Sequence, residues 1–266
     1  MPPNPLIMAS RCQREIPPEL VDRIIDFLHD QPKALTACSL VARSWTVTSK
    51  YHQFGMVALI TPRCWGKFNR LIETSPTMLR FVRSVIVDVA DTYSPWMSVC
   101  ASFPSLQHIT MNGVVSPPWR EEAAAISSVA HNITSFTINL TVVRAHYVWP
   151  IIRMFPNLVT LGYVGARCVV TVVPLQLSLP CHSPPISTMS ITNTTLGGVS
   201  DALLNPPYPL TSLSTLDIRD VYPERRASLQ ALAQAYGGQI SRLRLHLRGH
   251  RQQCTPLGGF KPLLSC

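Results

Sequence analysis

Two hydrophobic patterns of different period run along the chain and predict two kinds of structure. In the first sixty residues, an apolar stripe at helical spacing comprises Leu20, Ile24, Phe27 and Leu28. From residue 82 onwards a shorter motif recurs in the form h-x-x-h-x-h, where h is an apolar residue and x is any residue. The chain is therefore expected to begin with a small helical module and to continue as a repeat domain.

Three short helices are expected in the N-terminal module. Pro17 and Pro18 suit the first turn of a helix, because a residue there needs no backbone N–H donor. The segment 29–32 (HDQP) ends that helix, and a third helix is expected from about Thr46 to Phe54. Between them, the second apolar stripe comprises Ala34, Cys38, Val41 and Trp45, with Leu35 and Leu40 alongside.

The first helix carries more apolar surface than two packed helices require. Its apolar residues are Leu20, Val21, Ile24, Ile25 and Leu28. Helices of this length are marginal alone, so they must pack on each other and on something else. From the pattern alone, the surplus surface packs either on the following domain or on a partner.

The repeat motif occurs seven times at nearly constant spacing. Its first positions follow one another at intervals of 24, 27, 25, 28, 27 and 27 residues. This spacing lies within the range of about 20–29 residues that is typical of leucine-rich repeats. The seven copies are Val82-Val85-Val87, Leu106-Ile109-Met111, Ile133-Phe136-Ile138, Leu158-Leu161-Tyr163, Ile186-Met189-Ile191, Leu213-Leu216-Ile218 and Ile240-Leu243-Leu245.

Helix-like stretches separate the motifs, and this alternation predicts a curved parallel sheet with helices outside it. Examples are Trp65 to Glu73, Pro118 to Ala130, and Pro223 to Tyr236, the last of which ends at Gly237-Gly238. The segment from Cys168 to Pro185 fits the repeat poorly and is expected to hold an irregular loop.

Residues that alternate with the apolar positions are expected on the exposed, concave face of the sheet. Small and hydroxyl-bearing residues dominate the middle strands, where they are also ordinary strand formers. The final strand alternates arginine with leucine, so its basic row either binds an acidic or phosphorylated client or is simply solvated. The candidate client-binding residues are His108, Asn112, Asn139, Asp217, Arg219, Arg242, Arg244 and His246.

Composition and charge narrow the possible functions. With 46% hydrophobic and 14% charged residues, the chain is not expected to be disordered as a whole. The net charge of +9 raises nucleic-acid binding as an alternative, because seven arginines fall between Arg219 and Arg251. No RNA-binding signature with stacking aromatic residues accompanies them, so nucleic acid is not the expected partner.

No membrane segment, metal site or catalytic motif is expected. The most apolar stretch, residues 164–180, is interrupted by Arg167 and two prolines. The eight cysteines include no C-x-x-C pair, so neither a zinc site nor a redox motif is expected. The apolar run in MPPNPLIMASRC is too short for a signal peptide, so reduced thiols in a cytoplasmic or nuclear protein are expected. His246 and His250 form H-x-x-x-H without the glutamate of a metalloprotease, and no nucleotide-binding glycine motif is present. No enzymatic activity and no cofactor are therefore expected.

The N-terminal module resembles the F-box. The resemblance is carried by Ile16-Pro17-Pro18-Glu19-Leu20 and by the segment 38–45, CSLVARSW, which is especially similar to fungal F-box proteins. Ile16 stands where leucine is usual, and Ala42 and Arg43 stand where cysteine and lysine are commoner. The resemblance implies docking on the Skp-type adaptor of a cullin ubiquitin ligase. The residues expected at or supporting that contact are Ile16, Pro17, Leu20, Ile24, Leu28, Leu40 and Val41.

The following domain resembles the leucine-rich repeats found behind F-boxes. Its lead-in segments FPSL and FPNL, at residues 103 and 155, carry this resemblance, although the family's asparagine after each motif is absent. The expected fold class is α/β, with a helical F-box module followed by an irregular leucine-rich-repeat solenoid. Its expected parts are a disordered N-terminus (1–14), the F-box module (15–60), the repeat domain (61–249) and an irregular tail or cap (250–266).

The resemblance implies a substrate-recognition subunit of an SCF-type ubiquitin ligase, in which the repeat domain binds a client protein. Two alternatives remain open from the sequence. One is an interaction scaffold that works outside a ligase, and the other is nucleic-acid binding through the C-terminal arginines.

Overall fold

The described part of the chain folds into an α/β structure that is built on a parallel sheet of eight strands. A computed structural model describes residues 16–89, 96–113, 124–139, 143–165, 168–169, 183–192, 210–221 and 226–247. The expected disordered N-terminus (1–14) and the expected tail (250–266) lie outside the described residues.

Three helices form the N-terminal module: α1 (Pro18–Phe27), α2 (Pro32–Val41) and α3 (Arg43–Phe54). The buried core of this module consists of Val21, Ile25 and Leu35, with Leu28, Cys38 and Trp45 packed against it. The second apolar stripe was expected to continue through Trp45, and this expectation is wrong. Ala42 is extended, with φ −153° and ψ 154°, so α2 ends before it and Trp45 reaches the core from α3.

The strands of this sheet are all parallel, and they lie side by side in the order in which they occur along the chain. In sheet order they are β1 Met56–Leu59, β2 Ser84–Asp88, β3 His108–Asn112, β4 Ser135–Asn139, β6 Thr160–Val164, β8 Thr188–Thr192, β9 Thr215–Val221 and β10 Arg242–Leu247. A separate parallel pair is formed by β5 (Val143–Arg144) and β7 (Cys168–Val169).

Helical segments return the chain between strands. After the module, the described α-helices include α4 Pro62–Thr74, α5 Trp96–Ala101, α6 Ala145–Arg153 and α7 Arg226–Tyr236, and short 3-10 helices span Pro76–Phe81 and Ala130–Asn132. The expected helix from Trp65 to Glu73 is confirmed within α4, whose first turn is capped by the Thr61 hydroxyl. The stop at Gly237 is also confirmed, since its N–H donates to Ala233.

All seven repeat motifs form strands in the register that the sequence predicts. The central apolar positions pair across the sheet as Val85, Ile109, Phe136, Leu161, Met189, Leu216 and Leu243. From β2 to β9 these positions are buried in one continuous apolar core, which also takes in Phe103 and Phe155 of the lead-in segments. The strand β1 was not expected, and it extends the sheet by pairing with β2.

A repeated hydrogen-bond pattern marks the point where the chain enters each strand. One backbone carbonyl accepts two consecutive N–H groups from the next repeat, as Arg83 O does from Gln107 and His108. The same arrangement recurs at seven successive carbonyls, which belong to Gly55, Arg83, Gln107, Thr134, Val159, Ser187 and Ser214. We refer to this series as the carbonyl ladder, and it holds neighbouring repeats in a constant register.

Candidate binding surfaces

An exposed apolar surface covers part of the helical module. Along α1, Leu20 is 50% exposed, Ile24 43% and Phe27 82%, and at the end of α2 Leu40 is 81% and Val41 65% exposed. We call these five residues together with Ile16 the apolar helical surface. The surplus apolar face of α1 therefore does not pack on the following domain, which was one of its two possible explanations.

The predicted adaptor-binding residues divide between this surface and the module's interior. Ile16, Pro17, Leu20, Ile24, Leu40 and Val41 are exposed, whereas Leu28 is half-buried against the inner core. Leu28 is thus placed to support the surface from within. Phe27 was part of the sequence stripe but was not expected among the adaptor-binding residues. Its position seven residues after Leu20, on the same helical face, was the available signal.

The opposite side of α1 is fastened to α3 by polar contacts. Asp26 Oδ1 lies 2.7 Å from His52 Nε2, and the Thr48 hydroxyl donates to Asp22 over 2.8 Å. Asp22 and Asp26 are four residues apart on α1, and Thr48 and His52 are four residues apart on α3. The contacts therefore lie on one face of each helix. This fixes the rotation of α1 and turns its apolar residues outward.

The module is joined to the sheet through the end of α3. The Gly55 carbonyl accepts hydrogen bonds from the N–H groups of Arg83 and Ser84, and this is the first rung of the carbonyl ladder. The Arg83 guanidinium also lies 4.7 Å from the centre of the Tyr51 ring, a cation–π distance. The helices and the first strands are therefore directly connected.

The second surface is the polar face of the sheet, and all eight candidate client-binding residues lie in its strands. They form two groups that the fold does not bring together. His108, Asn112 and Asn139 belong to β3 and β4, and the others belong to β9 and β10. Three strand spacings separate β4 from β9, which corresponds to about 14 Å.

The first group contains a row of amides. Asn112 is paired in register with Asp88 on one side and with Asn139 on the other. Among the described residues, the Asn112 Oδ1 atom is buried and accepts no hydrogen bond, while the Asn139 side chain is exposed. This row presents amide groups but contains no cationic side chain.

The second group is a basic cluster built around one buried carboxylate. Asp217 is only 7% exposed, and Arg219 Nη2 lies 2.7 Å from its Oδ2 atom. The hydrogen bond from Arg219 lowers the pKa of Asp217 below its ordinary value, and the charges of Arg219, His246 and Arg244 act in the same direction. Arg219 is therefore engaged with Asp217, whereas Arg242 and Arg244 are exposed on β10.

Sequence reasoning missed two side chains that reinforce the ladder. Asn132 Nδ2 donates to Pro104 O over 3.0 Å, and Asn157 Nδ2 donates to His131 O over 2.8 Å. Both asparagines stand immediately before the first apolar position of a motif. They bridge neighbouring repeats in a chain that lacks the asparagine expected after each motif. Their shared position in two copies was the signal in the sequence.

Within the described residues, no cluster of three or more His, Cys, Asp or Glu side chains could hold a metal ion. Among the same residues, Cys38, Cys64 and Cys100 are not joined in disulfides. In the same part of the chain, no helix has both the length and the apolar character needed to cross a bilayer.

Comparison with known proteins gives no family assignment. No protein-family model matches the chain, and a search of curated proteins finds no match.

Proposed function

We propose that the chain is a substrate-recognition subunit of a cullin-type ubiquitin ligase, docked through an F-box on a Skp-type adaptor. The repeat domain, read as an irregular leucine-rich-repeat solenoid, holds the client protein. Its contribution to the reaction is to bring the client close to the transferring enzyme, and it performs no chemistry itself.

The observation that carries the proposal is the apolar helical surface. Six of the seven residues that the F-box resemblance assigns to adaptor binding are exposed to solvent. Exposed leucine, isoleucine and phenylalanine side chains on short helices are costly unless a partner covers them. Docking of an apolar helix face in a partner's groove accounts for them.

The connection between the module and the sheet suits this function. The first rung of the carbonyl ladder and the Tyr51–Arg83 contact hold α3 against the strands. A client on the polar sheet face is thereby kept at a defined position relative to an adaptor on the helices. Such a fixed geometry is what proximity catalysis requires.

The adaptor half of the proposal is tested by co-purification with a Skp-type adaptor. The double variant Leu20→Glu/Ile24→Glu places two charges on the apolar helical surface, where desolvation opposes binding. We expect adaptor capture to weaken by about 100-fold, which corresponds to the loss of two strong interface contacts. Because both residues are exposed, circular dichroism should show that the variant remains folded.

A control is Val159→Glu, which places one such charge at an apolar residue exposed outside the module (39%). It should leave adaptor capture unchanged. Failure of the folded wild-type chain to bind any Skp-type adaptor would contradict the proposal and favour a scaffold that works outside a ligase. Steeply salt-dependent binding to nucleic acid that is lost on substitution of the β10 arginines would instead favour nucleic-acid binding as the function.

A further inference from the structure

The sheet ends at β10 with an edge that no other described strand covers. Strand β10 pairs with β9 alone and stands last in the strand order. Its apolar residues also differ from those of the other repeats. Leu243 is 46% exposed and Leu245 44%, whereas the corresponding positions of β9, Leu216 and Ile218, are buried.

The backbone of this edge is arranged to receive a further strand. In a parallel ladder, alternate residues direct their N–H and C=O groups to opposite neighbours. The Arg242 N–H donates to the carbonyl of Ser214, the residue immediately before β9, so Leu243 and Leu245 direct their backbone groups away from β9. Ser241 O is the next carbonyl of the ladder, and among the described residues it accepts no N–H pair.

A strand that paired with this edge would need different side chains on its two faces. Arg242, Arg244 and His246 are exposed on the polar face, and Leu243 and Leu245 lie on the opposite face. A second copy of β10 would bring arginine beside arginine across the new strand pair, which is unfavourable. A strand that alternates acidic with apolar residues satisfies both faces at once.

We propose that the edge of β10 that no described strand covers binds an extended acidic segment of a client as a ninth strand. In this segment, glutamate or aspartate residues pair with Arg242 and Arg244, and the intervening apolar residues cover Leu243 and Leu245. Backbone hydrogen bonds supply affinity and the alternation supplies specificity. The proposal names the client class and so rests on the proposed function, but it concerns a different surface from the adaptor contact.

The test uses the purified full chain and a fluorescently labelled peptide, Glu-Val-Glu-Val-Glu, with blocked ends. We expect saturable binding in fluorescence anisotropy that weakens as salt is raised. The charge-swapped peptide Lys-Val-Lys-Val-Lys and the isomer Glu-Glu-Glu-Val-Val, which has the same composition without the alternation, should bind at least 10-fold more weakly.

Two variants place the peptide on this edge. Arg242→Glu should weaken the acidic peptide at least 10-fold and strengthen the lysine peptide. Leu245→Pro should abolish binding of both peptides and preserve the fold, since the N–H that it removes points away from β9. The charge-matched control Arg70→Glu, on the exposed face of α4, should leave both affinities unchanged.

Three results would overturn the proposal. One is equal binding of the alternating peptide and its isomer, and another is binding that survives both edge variants. The third is self-association of the wild-type chain that Leu245→Pro removes, because it would assign the edge to a second copy. No adaptor is present in these assays, so a failure here is separate from a failure of adaptor capture.

Discussion

At the scale of single residues, the sequence pattern predicted the strand face of Asp217 and Arg219 but not the contact between their side chains. Alternation along β9 correctly predicted that both residues lie on the same face, and both were assigned to client binding. The pattern did not reveal that they bond to each other, because a spacing of two residues does not specify how the side chains turn. Their ion pair engages one arginine of the basic cluster with a neighbouring carboxylate.

Replacement of Asp217 by asparagine tests the ion pair through its pH dependence. The pKa of Asp217 is lowered in the folded chain, so its charge stabilises the fold above the ordinary aspartate pKa of about 4 and loses this effect as the pH falls through the folded-state value. Because Arg219 is half-exposed and screened by solvent, we expect a loss of about 1 kcal/mol at pH 7. Urea unfolding at pH 7 and at pH 3 measures it.

The difference between the wild type and Asp217→Asn should shrink at pH 3. Arg219→Gln removes the same pair, so the double variant should lose less stability than the sum of the single variants. A loss that is equal at both pH values would mean that the carboxylate charge contributes nothing to the fold.

At the scale of elements, the strands were predictable and the helix faces were not. A recurring h-x-x-h-x-h motif at constant spacing reports how repeats stack, and it correctly placed seven strands in register. Helix α1 is apolar on more than one face, so its pattern did not distinguish the buried residues Val21 and Ile25 from the exposed Leu20 and Ile24. The buried face is selected by packing on Leu35 and Trp45 and by the polar contacts to α3, all of which involve residues distant in sequence.

Two other elements carried too little signal to be predicted. Strand β1 is only four residues long, and its sequence MVAL lacks the full motif. The break between α2 and α3 falls at Ala42, a residue with high helix propensity, with no glycine or proline to mark it. Tertiary packing of Trp45 on the module core overrides local preference there.

The neighbouring isoleucines of α1 provide a matched pair for testing which face is structural. Ile25 is fully buried, so Ile25→Ala should destabilise the helical module by about 2–4 kcal/mol through lost burial and a cavity. Ile24 is 43% exposed, so Ile24→Ala should cost less than about 1 kcal/mol. Thermal unfolding followed by circular dichroism compares them, and equal losses would contradict the assigned faces.

At the scale of the whole molecule, the joint between module and sheet depends on Gly55. A Cβ atom at this position would lie 2.8 Å from the Tyr51 carbonyl oxygen, closer than real Cβ contacts allow. The same residue supplies the carbonyl that begins the ladder. A side chain here must shift either the last turn of α3 or the start of β1.

We therefore expect Gly55→Ala to destabilise the protein by about 1–3 kcal/mol. Gly66→Ala is its control, because that glycine is exposed in α4 and an added Cβ would meet nothing within 4 Å. The control should stabilise the helix by about 0.5–1 kcal/mol, since alanine has the higher helix propensity. Differential scanning calorimetry should give shifts of opposite sign, and shifts of the same sign would show that the joint tolerates a side chain.

The carbonyl ladder also bears on how the molecule can change in length. Its successive carbonyls at Arg83, Gln107, Thr134 and Val159 are 24, 27 and 25 residues apart. Each of them accepts two consecutive N–H groups from the next repeat. Duplication or loss of one complete unit rejoins a carbonyl to an equivalent pair of N–H groups, whereas a partial unit displaces apolar residues from the core. Evolution can therefore lengthen or shorten the polar face only in whole steps of one strand spacing, about 4.8 Å each.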